Sequence, residues 1–331
     1  MQRTREPDAP VRSRLVVLPL ETVQSALDRA AARLHGSPAG VAPWHFDGAG
    51  LGTAGGDWRE ADRIVVPVAF NALGTQEWRT VHGMTPAAAE TFFAEFDRVS
   101  RDLLETLPSY RARPRAHVFV QWGDLEWDLP CLTVGRVLKV SASRRGAAEA
   151  MPYFVDDLEE GEAARLPAGP IAHAGDLCGF VGNLDSHPLR RRLAAAIERI
   201  DPTGSRVRLR HTEVGPADAR RDRYLRALGD ARFVLCPRGG GLNSARFFET
   251  LALGRIPVLV ADDTRLPLES TIPYREFVVR LPEDDLDSLL ARIAAFERQH
   301  ELEHASRLAR GHYWRCLRFR HFFARALARD G

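Results

Sequence analysis

Residues 233–260, FVLCPRGGGLNSARFFETLALGRIPVLV, constrain the fold more than any other stretch of the chain. An apolar run ends in Pro-Arg-Gly-Gly-Gly. An apolar helical pattern follows, and Gly254 then leads into a second apolar run, so the segment reads as strand, glycine loop, helix, strand. A strand that opens through a flexible loop onto a helix N-terminus suits an anion. The first helical N–H groups have no partner inside the helix, and the helix dipole adds positive potential there. Arg238 and Arg246 supply fixed charge able to fork onto a diphosphate. Arg246 and Glu249 stand three apart and share one helix face. They read either as a local ion pair worth roughly a few tenths of a kcal/mol or as ligand-binding groups, because a mostly apolar helix is a poor place for two charges without a ligand. In the second case the carboxylate accepts both hydroxyls of a ribose and the arginine meets a diphosphate. The segment predicts a bound phosphorylated ligand.

The rest of the chain repeats this alternation. Apolar runs predict strands over 15–18, 64–68, 116–120 and 137–140, then over 177–181, 206–209, 233–235, 256–260 and 277–280. Helical spacing falls over 22–34, 85–107 (opening on Thr85-Pro86), 189–200, 217–228, 245–253 and 285–298. Residues 35–57 read as a long loop. Residues 159–175, EEGEAARLPAGPIAHAG, lose periodicity and read as a linker. Short apolar strands alternating with helices imply parallel sheets covered on both faces. The expected division is an N-terminal Rossmann-like unit over 1–165, a C-terminal nucleotide-binding unit over 170–300, and C-terminal helices over 301–331 whose aromatic side chains need a surface across the domain junction. A ligand cleft is expected at the carboxyl ends of the strands.

Composition narrows the function. A formal net charge of +2 over 331 residues gives no concentrated basic face of the kind a nucleic-acid binder carries. Lys139 is the only lysine among 46 basic residues. Cys131, Cys178, Cys236 and Cys316 follow no metal spacing and suit a reducing compartment. No secretory segment precedes LVVLPL, which is too short to span a bilayer, so a cytoplasmic protein is expected. Asp262-Asp263 read as a metal-binding pair or as turn formers at a strand end.

With these residues on the page, 233–279 resembles the core of the exostosin family of glycosyltransferases. The family pattern of Pro-x-Gly, Ser-x-Arg-Phe-x-Glu, Gly-x-Ile-Pro-Val, Leu-Pro and Ile-x-aromatic is matched by Pro237, Gly239, Ser244, Arg246, Phe247, Glu249, Gly254, Ile256, Pro257, Val258, Leu266, Pro267, Ile272 and Tyr274. CGFVGN at 178–183, EADRIVVPV at 60–68 and HVFVQWGD at 117–124 match it more weakly. The resemblance implies a GT-B fold, with two Rossmann-like domains whose parallel sheets face a central cleft. It also implies inverting glycosyl transfer from a nucleotide-sugar, UDP-linked by preference, with no bound metal and no other cofactor. The acceptor is a glycan or a small molecule. No N-terminal membrane anchor is expected, cysteine usage is sparse and Arg255 stands where the family usually has cysteine; these departures suit a bacterial-type soluble member making a surface polysaccharide or decorating a metabolite.

Carried onto this sequence, Arg238, Ser244 and Arg246 hold the diphosphate, Gly239, Gly240 and Gly241 allow close backbone approach, and Glu249 holds the ribose. Tyr274 borders the base or sugar, or packs. Inversion needs a general base on the acceptor side. Asp124, after a strand end, is the first candidate; Glu126, Asp128 and His117 remain in play, each otherwise a solvated charge or, for His117, a core histidine. Trp122 and Trp127 are sugar platforms or ordinary wall residues. The alternatives to a UDP-sugar enzyme are a fucosyltransferase-like GT-B enzyme using a GDP-sugar, and a non-catalytic nucleotide-sugar-binding partner protein.

Overall fold

The computed structural model describes residues 15–19, 56–69, 85–121, 128–153, 155, 169–210 and 217–328. The expected helix over 22–34, most of the loop over 35–57 and the linker residues 159–168 lie outside them. So do Trp122, Asp124, Glu126 and Trp127.

The apolar runs form two parallel sheets. In the first, β1 (Leu15–Val17), β2 (Arg63–Ala69), β3 (His117–Gln121), β4 (Arg136–Lys139) and β5 (Glu149–Ala150) lie in the order β1-β2-β3-β4-β5. Every pairing is parallel. Alternate residues serve opposite faces. Val16, Ile64 and Val66 pack with Phe96, Leu103 and Leu104 of α1 (Pro86–Glu105) and with Leu107, ahead of the short helix α2 (Pro108–Ala112). α1 begins where Thr85-Pro86 places it: the Thr85 hydroxyl accepts the Ala88 amide at 3.3 Å, and Pro86 occupies the first turn.

The second unit contains β6 (Asp176–Val181), α3 (Pro188–Ile200), β7 (Val207–Arg210), α4 (Ala217–Gly229), β8 (Ala231–Pro237), α5 (Ala245–Ala252), β9 (Ile256–Val260), β10 (Val279–Arg280) and α6 (Leu289–Gln299). Its strand order is β10-β9-β8-β6-β7, again all parallel. The chain leaves β6 in one direction, to β7, and returns on the other side, to β8. The switch point therefore lies between β6 and β8, and crevices for ligands open at the carboxyl ends of the strands at such a point. The strand expected over 277–280 shortens to β10, because Phe277 closes a turn over Tyr274–Glu276 and buries its ring in the core. Gly254 ends α5 at φ +65, a conformation that disfavours a side chain.

α7 (Leu302–His312) covers the second sheet through Ala305 and Ala309. A π-turn over Tyr313–Leu317 then redirects the chain into α8 (Phe319–Ala328). α8 packs on the first sheet: Phe319, Phe322, Phe323, Ala326 and Leu327 join Val17, Val65, Val118, Val120, Leu138 and Val140 in one cluster. The two units also meet beside β4, where Ser143 and Thr264 form an antiparallel bridge. Arg265 donates there to the carbonyls of Arg144, Ala148 and Gly146.

Phe323 is fully buried against the first sheet. Phe323→Ala is expected to destabilise the protein by about 3–5 kcal/mol, read as a lowered urea midpoint.

Candidate functional site

α5 starts beside the switch point, and its first turn carries one charged residue, Arg246, inside a mostly apolar helix. Ser244 is the N-cap, yet its hydroxyl makes no capping bond, so the first-turn amides are not closed by it. Arg246, the second helical residue, is 6 % exposed. Its guanidinium lies 4.5 Å from the Phe180 ring centroid, at the end of β6. Among the described residues its Nε and Nη1 have no hydrogen-bond partner. Gly182, just past β6, leaves room for it: a Cβ there would collide with Arg246 Nη2. A buried cation with unanswered N–H groups at the positive end of a helix is unfavourable in isolation, and a bound anion removes the penalty.

Glu249 follows one turn on, and its side chain is 6 % exposed. Its partners come from α4 rather than from Arg246, which sets aside the local ion pair. Arg221 Nη1 lies 2.6 Å from Glu249 Oε1, and the Tyr224 hydroxyl donates to Oε2. Burial and the neighbouring Glu249 charge push the Tyr224 phenol well above its ordinary pKa, so it stays a donor. These side chains, with Arg220, Ser244 and Ala245, line a cavity of about 360 Å³. The cavity thus brings Ser244, Arg246 and Glu249 together with Arg220, Arg221 and Tyr224, which sequence reasoning missed. The local signal for them was slight: Arg221 and Tyr224 stand four residues before buried Leu225 and Leu228 and so share the packed face of α4.

Arg238 does not line that cavity. Its amide donates to the Val260 carbonyl at 3.2 Å. Burial lowers its guanidinium pKa against the opposing charges of Glu283 and Asp263. Gly239, Gly240 and Gly241 form the loop between β8 and α5, and Gly240 and Gly241 are buried. Asp262 accepts the Glu283 amide at 3.2 Å and Asp263 accepts the Ser143 hydroxyl at 2.6 Å, which are turn and junction contacts. Among the described residues no group of three or more His, Cys, Asp or Glu is placed to hold a metal ion. All four cysteines are free thiols. Arg255, where the family has cysteine, is buried and braces the carbonyls of Gly229 and Gly169 at 2.8 and 3.1 Å.

Two candidates are corrected. Tyr274 is a core residue: its hydroxyl donates to the Pro267 carbonyl at 2.8 Å and its ring packs on Phe247 and Phe277. A groove of about 740 Å³ does border it, formed with Arg280, Phe296 and His300. That groove lies where β10 begins and α6 ends, at the amino edge of the sheet and away from the glycine loop. His117 opens β3, so it too sits at an amino edge. It is fully buried, with Nε2 3.1 Å from Ser109 Oγ and Nδ1 3.0 Å from the Arg113 carbonyl. Burial lowers its pKa. It is a satisfied core histidine and cannot reach an acceptor at the carboxyl edge. Asp128 does lie past the carboxyl end of β3, where it takes a 2.8 Å ion pair from the fully buried Lys139. Burial pushes the Lys139 pKa down, and Asp128 opposes that shift.

Two parallel-sheet α/β units, with a cationic cradle at the switch point of the second, define a GT-B protein. The chain belongs to the exostosin family: the Exostosin GT47 domain matches residues 54–296. It is similar to "Probable glucuronosyltransferase GUT1" of Oryza sativa subsp. japonica, 41% identical over 73 residues that make up 21% of this chain and 18% of that protein. It is also similar to "Probable beta-1,4-xylosyltransferase IRX10" of Arabidopsis thaliana, 40% identical over 73 residues, 21% of this chain and 18% of that protein. The chain thus spans about a fifth of the length of the curated relatives it matches. These relatives are plant proteins and lend the expectation of a bacterial-type member no support. A solved structure, "Crystal Structure Analysis of the Glycotransferase of kitacinnamycin", overlaps 97% of this chain and 100% of its own at 12% identity and a TM-score of 0.38, too low to carry any argument. Among the described residues, no helix is long and apolar enough to cross a membrane.

Because burial depresses the folded-state pKa of His117, the unfolded chain binds its proton more readily. The His117 contribution to stability is therefore complete above the unfolded pKa of about 6.5 and is lost as pH falls below it. The urea midpoint of the wild type is expected to drop more between pH 7.5 and 5 than that of His117→Gln; equal drops would contradict this account.

Proposed function

We propose that the protein is an inverting glycosyltransferase that uses a nucleoside-diphosphate sugar, UDP-linked by preference, and an acceptor hydroxyl on a glycan or small molecule. The observation that carries this reading is the Arg246 guanidinium, buried at the N-terminus of α5 with two N–H groups unanswered among the described residues. A diphosphate satisfies both the guanidinium and the first-turn amides. Glu249, held on both oxygens by Arg221 and Tyr224, keeps further lone pairs for ribose hydroxyls. The acceptor oxygen attacks the anomeric carbon as the bond to the diphosphate oxygen breaks. The electron pair leaves on the diphosphate, where Arg246 and the helix amides stabilise it without calling on a divalent cation.

A carboxylate on the acceptor side takes the acceptor's proton. Asp124 is the first choice and Glu126 the second, because Asp128 is already committed to Lys139. The family match supports the reaction class. The activities named for the two plant relatives make UDP-glucuronic acid and UDP-xylose the first donors to try. A reducing, cytoplasmic setting fits the four free thiols.

Calorimetry with UDP tests the donor site. Arg246→Ala removes charge-assisted hydrogen bonds and is expected to weaken UDP by about tenfold to a hundredfold, and Glu249→Ala is expected to weaken UDP and uridine together. Unchanged affinities in both variants would end the donor-site reading. Asp124→Asn is expected to lower kcat with UDP affinity intact, whereas wild-type turnover would remove it as the base. EDTA is expected to leave the rate unchanged.

A further inference from the structure

Arg190 is one of the arginines downstream of CGFVGN and does not line the cavity, yet it occupies the switch point itself. It is the third residue of α3 and is 8 % exposed. A cation in the first turn of a helix is opposed by the dipole, and burial adds to the penalty. The fold nevertheless tucks it between the loops that follow β6 and β8. Nη1 donates to the Asn183 carbonyl at 2.9 Å, Nε to the Arg238 carbonyl at 3.1 Å, and Nη2 points to the Pro237 carbonyl at 3.5 Å. Its guanidinium lies 5.9 Å from the same Phe180 ring that carries Arg246.

These contacts fix which way two peptide units face. In a trans peptide the C=O and the next N–H point in opposite directions, and among the described residues there is no cis peptide bond. With the Pro237 carbonyl turned to Arg190, the Arg238 amide must point the other way, and it does, donating to Val260. With the Arg238 carbonyl turned to Arg190, the Gly239 amide must likewise point away from the buried guanidinium. Gly239 lies close against this brace: a Cβ there would lie 3.0 Å from Arg190 Nη2.

We infer that Arg190 is a positioning residue for the phosphate cradle: it pulls the loop carbonyls inward so that the Gly239 amide is presented to the diphosphate. This inference rests on the donor-site reading above. An arginine suits the task because its planar fork reaches carbonyls of two loops at once, which the point charge of a lysine cannot do.

The test is a double-mutant cycle read by calorimetry with UDP and with uridine as probes. Arg190→Lys keeps the charge and the stem, and Gly239→Ala presses its methyl on the Arg190 guanidinium while leaving that arginine in the sequence; circular dichroism checks that both fold. Each is expected to weaken UDP by about tenfold and to leave uridine unchanged, because only the phosphates meet the loop. The double variant is expected to be no weaker than the poorer single, since both spoil one peptide orientation. Wild-type UDP affinity in Arg190→Lys, equal losses for uridine and UDP, or losses that simply add would each overturn the positioning role while leaving the donor site standing. A wild-type protein that binds no UDP would overturn the donor site and this inference together.

Discussion

The structure turns on one unbalanced interaction, a guanidinium buried at the positive end of a helix. Arg246 lies on the Phe180 ring, and Gly182 lacks the side chain that would displace it. Neither feature neutralises the charge. A natural chain tolerates such an arrangement where a ligand completes it, because the penalty of an unpaired buried cation is removed when an anion arrives. The order β10-β9-β8-β6-β7 puts the ends of β6 and β8 side by side, so Phe180 at the end of β6, Gly182 just past it and the glycine run after β8 converge on one helix N-terminus.

The remaining architecture holds this cradle against the first sheet. α8 buries three phenylalanines on the face formed by Val17, Val65, Val118 and Leu138. The junction beside β4 adds the Ser143–Thr264 bridge, the Arg144 amide on the Asp263 carbonyl at 2.8 Å, and the Arg265 fork on three carbonyls. These polar contacts lie directly after β9, one strand away from the glycine loop.

Much of the fold was legible because short buried strands carry a dense apolar signal, and β9 falls on the residues the pattern indicated. Ends were less legible: β8 runs from Ala231 to Pro237, beyond its apolar centre, because its neighbours on both sides continue the hydrogen-bond ladder. For the site, Ser244, Arg246 and Glu249 were readable because one helix carries all three. Arg221 and Tyr224 were not, since they reach Glu249 from 28 and 25 residues away and only packing of α4 on α5 joins them. Arg190 was hidden for the same reason. His117 and Tyr274 misled because a polar atom in an apolar run looks chemical until its burial and its main-chain partner are seen. The acceptor side was the least legible, since a base is defined by its distance from a substrate oxygen and no local pattern encodes that.

The most direct test of the central claim is a crystal structure of the protein with UDP. The account predicts the diphosphate within hydrogen-bond distance of Arg246 and the first-turn amides of α5, with the ribose hydroxyls on Glu249. A nucleotide seated in the groove at the amino edge of the second sheet, or a diphosphate that leaves the Arg246 guanidinium unpaired, would contradict it.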